Sequence, residues 1–260
     1  MNRINQLFKN KKNNILSIYF TAGYPNLNSI VPIIENLEKQ GVDLIEIGIP
    51  FSDPLADGTV IQQSSSKALE NGTTLKKIIS ELKNIRKTIN IPLIFMGYFN
   101  TVLSYGVENF CKDISAIGIN GVILPDLPIE VYEEEYIDVF EKYNIIPVFL
   151  VSPNTPEARI KKTDELSKGF IYAVSTASTT GIQKGFDKEN EEYFKRLHNM
   201  KLSSPIMIGF GISDSVSFNQ VCKYTAGGII GSAFVKSINN KNNIEKDIKT
   251  FIEKIKPTMQ

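Results

Sequence analysis

The stretch Asp43-Leu-Ile-Glu-Ile-Gly-Ile-Pro-Phe-Ser-Asp-Pro-Leu-Ala-Asp57 joins a strand-like run to a proline-bracketed loop, and each part delivers a carboxylate. Along 43–49 the pleat places Ile45, Ile47 and Ile49 on one face and Leu44, Glu46 and Gly48 on the other. Glu46 is thus expected mid-strand among apolar neighbours, with a glycine above it. A carboxylate is costly to bury there unless it is paired or protonated. One reading is a structural ion pair. No other strand in the sequence carries an interior Lys or Arg, which favours a second reading, an acid–base group whose pKa is raised by burial. Asp57 also reads two ways, as a helix N-cap or as a free carboxylate. Thr59-Val-Ile-Gln62 has the pattern of a capping box, which assigns the cap to Thr59 and leaves Asp57 for chemistry.

Working outward, eight β-rich apolar runs are expected as strands: 15–20, 43–49, 92–98, 121–125, 145–151, 169–175, 205–209 and 228–233. Amphipathic stretches at 29–40, 60–71, 75–88, 107–117, 129–143 and 156–168 read as helices between them. Strand and helix alternate throughout, which calls for parallel strands with helical crossovers. Eight such units in 260 residues fit an α/β fold of the single (β/α)8 TIM-barrel type, with extra helices at the N-terminus and between strands two and three. Without a composition break or low-complexity linker, residues 1–260 are expected to form one domain. In the first strand Ser17, Tyr19 and Thr21 share a face, and in the sixth Tyr172 shares a face with Phe170 and Val174. If these faces point inward, Glu46, Tyr19 and Tyr172 converge near the C-terminal mouth, where barrel enzymes place their sites.

Composition narrows the chemistry. Apolar residues make up 42% and charged residues 22%, as in soluble globular proteins, and the net charge of +1 offers no footprint for nucleic acid. No run is long and apolar enough to span a membrane, and the polar, basic start does not read as a secretory signal. Cys111 and Cys222 lie far apart, outside any metal spacing, and suit a reducing compartment. His198 is the sole histidine and is expected on a polar helical surface, which removes histidine triads and histidine-rich metal sites.

Gly209-Phe-Gly-Ile-Ser213 follows the seventh strand, and Gly227-Gly-Ile-Ile-Gly-Ser-Ala233 forms the eighth and its end. Loops after these two strands are the usual phosphate seat of the barrel, where glycines let main-chain N–H groups approach an anion. Tight turns alone would also use them. The small, polar segment Ser175-Thr-Ala-Ser-Thr-Thr-Gly-Ile-Gln-Lys-Gly185 suits a lid that closes over substrate, although any solvated loop has a similar composition.

Together these stretches resemble the α-chain family of tryptophan synthase over nearly the full length. The resemblance is carried by Thr21-Ala-Gly-Tyr-Pro25, Glu46 to Gly58, Met96-Gly-Tyr-Phe-Asn100, Asp126-Leu-Pro128, Gly209 to Ser213 and Gly231-Ser232. It implies a lyase that cleaves indole-3-glycerol phosphate to indole and glyceraldehyde 3-phosphate in tryptophan biosynthesis. It places the catalytic pair on Glu46 and Asp57, and the indole contacts on Tyr19, Met96, Ile123 and Tyr172. Phosphate-binding positions fall on Gly181, Phe210, Gly211, Gly231 and Ser232, and the lid threonine on Thr180. The resemblance further implies a cytoplasmic enzyme with no cofactor in this chain. It would dock on a pyridoxal-phosphate β chain in an α2β2 assembly through residues 50–57 and 126–128. Two positions depart from the family pattern. Ser178 and Thr179 replace a common Gly and Val in the lid, and Thr101 follows Asn100 where proline is usual.

Other functions stay open at this level. Related phosphate-binding barrels normally use a strand Lys or Cys, and none is suitably placed here. A non-catalytic regulatory subunit fits poorly with two retained carboxylates. A lyase that works without a partner fits the sequence equally well.

Overall fold

The structure, a computed structural model, describes residues 1–54, 57–175, 186–238 and 243–256. The chain opens with helix α1 (Arg3–Asn10), followed by β1 (Ile15–Thr21), α2 (Ile30–Lys39) and β2 (Leu44–Gly48). Two helices, α3 (Thr59–Glu70) and α4 (Leu75–Glu81), precede β3 (Leu93–Met96), and α5 (Phe99–Tyr105) and α6 (Val107–Ala116) precede β4 (Gly121–Ile123). The middle of the chain supplies α7 (Ile129–Val131), α8 (Ile137–Lys142), β5 (Ile146–Val151), α9 (Glu157–Leu166) and β6 (Ile171–Val174). Then come α10 (Lys188–Asn199), β7 (Ile206–Gly209), α11 (Ser215–Cys222), β8 (Gly227–Ile230), α12 (Ser232–Ser237) and α13 (Ile244–Ile255). All eight strands pair in parallel with their sequence neighbours, and β8 closes on β1. This is the expected TIM barrel, with α1 before the first strand and two helices between β2 and β3.

Three local expectations are corrected. Thr59 is not an N-cap: it is the first helical residue of α3, Gly58 holds the cap position, and neither forms a capping box. The chain turns earlier, through a bond from the Asp57 N–H to the Pro54 carbonyl, and the Gln62 side chain donates instead to the Asp57 carbonyl at 2.9 Å. The helix expected at 75–88 is α only to Glu81 and continues as a 3-10 turn over Leu82–Lys87. The helix expected at 129–143 is split by a π-type segment at Tyr132–Tyr136, where Tyr132 packs edge-on against Phe140 and Phe149.

Strand side chains divide between two cores, as the pleat requires. Outward-facing Leu16, Ile18, Phe20, Ile45, Ile47 and Phe95 meet the helices, while Ile15, Leu44, Ile94, Ile123, Phe170, Tyr172, Met207 and Ile229 fill the interior. Helix α1 plugs the N-terminal end, burying Ile4 and Phe8 in that interior cluster, with Phe8 5.5 Å from Phe170 between ring centroids. Each such side chain stabilises by roughly 1.5–3 kcal/mol. Asn2 fixes the plug: its Oδ1 accepts from the Ile4 N–H, while its amide donates to the Asn120 and Asn144 carbonyls at 2.8 and 2.9 Å. At the same end Asp43 accepts from Lys11, from the Leu16 N–H and from Lys256, joining α1, β1 and the chain beyond α13.

Candidate active site

Register decides what meets at the barrel's C-terminal mouth. Tyr19 on β1 pairs with Glu46 on β2, and Tyr172 on β6 pairs with Met207 on β7. Both tyrosines face inward, and both lean over a glycine on the next strand. A Cβ at Gly48 would collide with the Tyr19 ring and hydroxyl, and one at Gly209 with those of Tyr172. The missing side chains are therefore the space in which the aromatic walls stand.

Glu46 is fully buried, and so is Ser17, whose hydroxyl donates to Glu46 Oε1 at 2.9 Å. The other oxygen, Oε2, is buried without a hydrogen-bond partner among the described residues. Burial pushes the Glu46 carboxyl up to about 8, and the Ser17 bond pulls the other way. Among the described residues Glu46 makes no ion pair, so the structural reading of its charge does not hold. Its proton affinity is suited to exchange near neutral pH.

Asp57 reaches the same space from the loop after β2. It is half-buried, and burial raises its pKa while the Tyr98 hydroxyl, donating to Oδ2 at 3.3 Å, lowers it. Tyr98 is itself stacked on Phe51 of that loop, 4.9 Å between centroids. Asp126, after β4, accepts from the Phe99 N–H at 2.8 and 3.0 Å, tying a third loop to the one that carries Tyr98. Burial above all, with Glu46, Asp57 and Tyr19 close by, holds the Tyr172 hydroxyl protonated.

A cavity of about 720 Å³ opens above these groups. Its wall includes Tyr19, Asp57, Met96, Tyr172, Phe210, Gly211, Gly231 and Ser232, eight of the twelve expected site residues. This is the size and mixed character of a small-molecule site. A Cβ at Gly231 would come into ordinary contact with the Tyr19 ring, 3.5 Å from its nearest atom, so Gly231 faces Tyr19 across the cavity wall. Phe210 and Gly211 both have positive φ (68° and 73°), and a side chain on Gly211 would meet Phe186 at 2.8 Å, so glycine is required there. Ile123 and Glu46 lie in the barrel interior rather than in the cavity wall. Thr180 and Gly181, with the rest of the expected lid at 176–185, lie outside the described residues.

Sequence reasoning gave no role to four residues that the fold brings here. Ser17 carried a usable signal, a hydroxyl on the same inward face as Tyr19. Tyr98 lay inside a quoted motif, but nothing in its spacing pointed to Asp57. Lys236 and Lys254 line the outer cavity wall, and among the described residues neither makes an ion pair or hydrogen bond. Their convergence depends on the packing of α12 and α13, which no local pattern shows.

Comparisons with known proteins show the family and the fold. The family model described as tryptophan synthase alpha chain matches residues 5–260. A tryptophan synthase alpha chain from Flavobacterium psychrophilum is 56% identical over 248 residues, covering 95% of this chain and 98% of the relative. One from Bacteroides thetaiotaomicron is 48% identical, covering 95% and 97%. Among solved structures, tryptophan synthase from M. tuberculosis in its aminoacrylate-bound form superposes with a TM-score of 0.85 at 26% identity, covering 98% of each chain. The tryptophan synthase complex from Pyrococcus furiosus gives 0.85 at 32% identity, covering 94% of this chain and 98% of that one. The chain belongs to the tryptophan synthase alpha chain family.

Proposed function

We propose that Glu46 and Asp57 are the catalytic pair for the lyase activity of this family, the retro-aldol cleavage of indole-3-glycerol phosphate to indole and glyceraldehyde 3-phosphate. The observation that carries the assignment is the pairing of a fully buried carboxyl that favours its proton with a half-buried one that reaches the same cavity. Cleavage requires the indole ring to accept an electron pair. Protonated Glu46 gives its proton to indole C3, and positive charge develops at N1. The Asp57 carboxylate, facing N1–H from the cavity wall, stabilises that charge. Glu46, now anionic, takes the proton from the hydroxyl on the carbon attached to C3. The carbon–carbon bond electrons return to the ring, the aldehyde forms, and Glu46 ends as it began.

Tyr19, Met96 and Tyr172 supply the apolar walls for indole, with Ile123 beneath them. Phosphate is assigned to the main chain at Phe210, Gly211, Gly231 and Ser232, with Gly181 and the lid residue Thr180 contributing from the segment beyond description. The chain needs no cofactor of its own for these steps. A pyridoxal-phosphate β chain is the proposed partner, in an α2β2 assembly in the cytoplasm. It would dock on residues 50–57 and 126–128, the loops linked to the site through Phe51, Tyr98 and Asp126. Residues 1–260 are proposed to act as one domain. No helix among the described residues is long and apolar enough to cross a membrane.

The deciding experiment is release of indole from indole-3-glycerol phosphate by the purified chain, with and without added β chain. Release that rises on addition supports both the activity and the partner. Release at the same rate in both conditions would leave a lyase without a partner, and none in either condition would refute the assignment.

A further inference from the structure

We propose that Ser17 is a positioning residue for Glu46, fixing the orientation of its carboxyl through a hydrogen bond from deeper in the barrel interior. The inference rests on the reading of Glu46 as the proton shuttle. Its basis is geometric. Ser17 pairs in register with Leu44, two residues before Glu46, so its hydroxyl comes from one layer deeper in the barrel. It meets Oε1 at 2.9 Å, and both residues are fully buried.

The surrounding layer is hydrocarbon and aromatic: Leu44, Ile94, Phe170, Met207 and Ile229. A hydroxyl in such a layer is unfavourable unless it is bonded, and branched apolar side chains dominate barrel interiors. The only hydrogen bond recorded for the Ser17 side chain among the described residues is the one to Glu46. Packing therefore does not explain Ser17, and Glu46 does.

Direction matters as much as place. The Ser17 O–H donates, so it stabilises the anionic carboxyl more than the neutral one and opposes the effect of burial. Among the described residues the ionisable groups that face Glu46 are Tyr19 on β1 and Tyr172 on β6, each of which also feels Asp57 from the loop after β2. None is cationic, so Ser17 is the group that favours ionisation. Oε2 lacks a partner and Glu46 does not line the cavity. The carboxyl is thus oriented through one oxygen alone, by Ser17.

The test titrates the carboxyl itself in the full-length chain. The infrared carboxyl band is assigned to Glu46 by its loss in Glu46→Gln, and its pH midpoint is followed in wild type, Ser17→Ala and Ser17→Thr. Ser17→Ala is expected to raise the midpoint by about one pH unit, a tenfold change in proton affinity. Ser17→Thr, which keeps the hydroxyl, should return it to the wild-type value. The basic limb of the kcat profile for indole release should move up with the midpoint while KM stays unchanged. An unaltered midpoint in a folded Ser17→Ala protein overturns the proposal. A raised midpoint with indole release unaffected in both Ser17→Ala and Glu46→Gln keeps the Ser17 bond and overturns the lyase reading of Glu46 instead.

Discussion

The hydroxyl of Tyr19 stands in the space that a side chain on Gly48 would fill, one strand over and one pleat above Glu46. Tyr172 and Gly209 repeat the arrangement across the barrel. Two aromatic rings are thus seated by two absent side chains, which makes glycine at these positions a packing requirement. Replacing Gly48 with Ala is expected to destabilise the fold by about 1–3 kcal/mol, the usual cost of overpacking, and to impair indole release. The added Cβ would clash with the Tyr19 hydroxyl oxygen, so the ring or the strand has to move. Urea denaturation measures the effect, and a change within about 0.5 kcal/mol, the range of an ordinary surface substitution, would contradict it.

Glu46→Gln is expected to lower turnover about 10²–10⁴-fold with substrate binding kept. It carries a second signature in stability. The folded-state pKa of about 8 lies above the ordinary value of 4.5, so the fold binds this proton more tightly than the unfolded chain does. The stability this provides is complete below about 4.5 and is lost as pH rises through about 8. Wild type should weaken across that window by up to about 1.4 kcal/mol per pH unit from this group. The Gln variant lacks that slope and should gain on wild type as pH rises. Parallel stability curves from pH 5 to 9 would remove the buried carboxyl from the argument.

Tyr98→Phe keeps the ring on Phe51 and deletes only the hydroxyl that donates to Asp57. That bond lowers the Asp57 pKa against the effect of burial, so its loss raises the pKa. Asp57 then loses its charge at a higher pH, and the acid limb of kcat/KM should move upward. A hydrogen bond to a charged group contributes about 1.5–3 kcal/mol, so turnover should fall by roughly tenfold or more. An acid limb left in place would show that Tyr98 only packs.

Lys236→Gln removes a cation that has no ion-pair partner among the described residues from the cavity wall near the proposed phosphate seat. The expected result is a KM for indole-3-glycerol phosphate raised about 3–10-fold at low salt, with kcat unchanged and the difference shrinking as salt screens the charge. A KM independent of the substitution at every ionic strength would confine phosphate binding to the main chain.

How much of this was legible beforehand depends on the range of the interaction. The barrel was readable because strand identity follows from local apolar runs, and eight alternations leave few ways to close. That Ser17 and Tyr19 share one face of their strand, and Leu44, Glu46 and Gly48 one face of theirs, followed from the period of two, while the inward direction of those faces came only with the closed barrel. The helix at 129–143 could not be resolved into three parts, because its apolar period continues through the π-type turn at Tyr132–Tyr136. Thr59 was misread because a capping pattern states which residues could bond, while the turn at Pro54–Asp57 decides where the helix begins. The Tyr98–Asp57 contact spans two loops, and the Ser17–Glu46 bond spans two strands. Each needed the register as well as the residue.

Closure of the barrel floor by α1 has a consequence for traffic. With Phe8 packed against Phe170 and Asn2 fastening the plug ahead of two strands, α1 fills the N-terminal end of the barrel among the described residues. Substrate and both products must share the upper rim. A protein seated on that rim would therefore govern arrival and departure alike, and a volatile, apolar product would pass to whatever covers the exit.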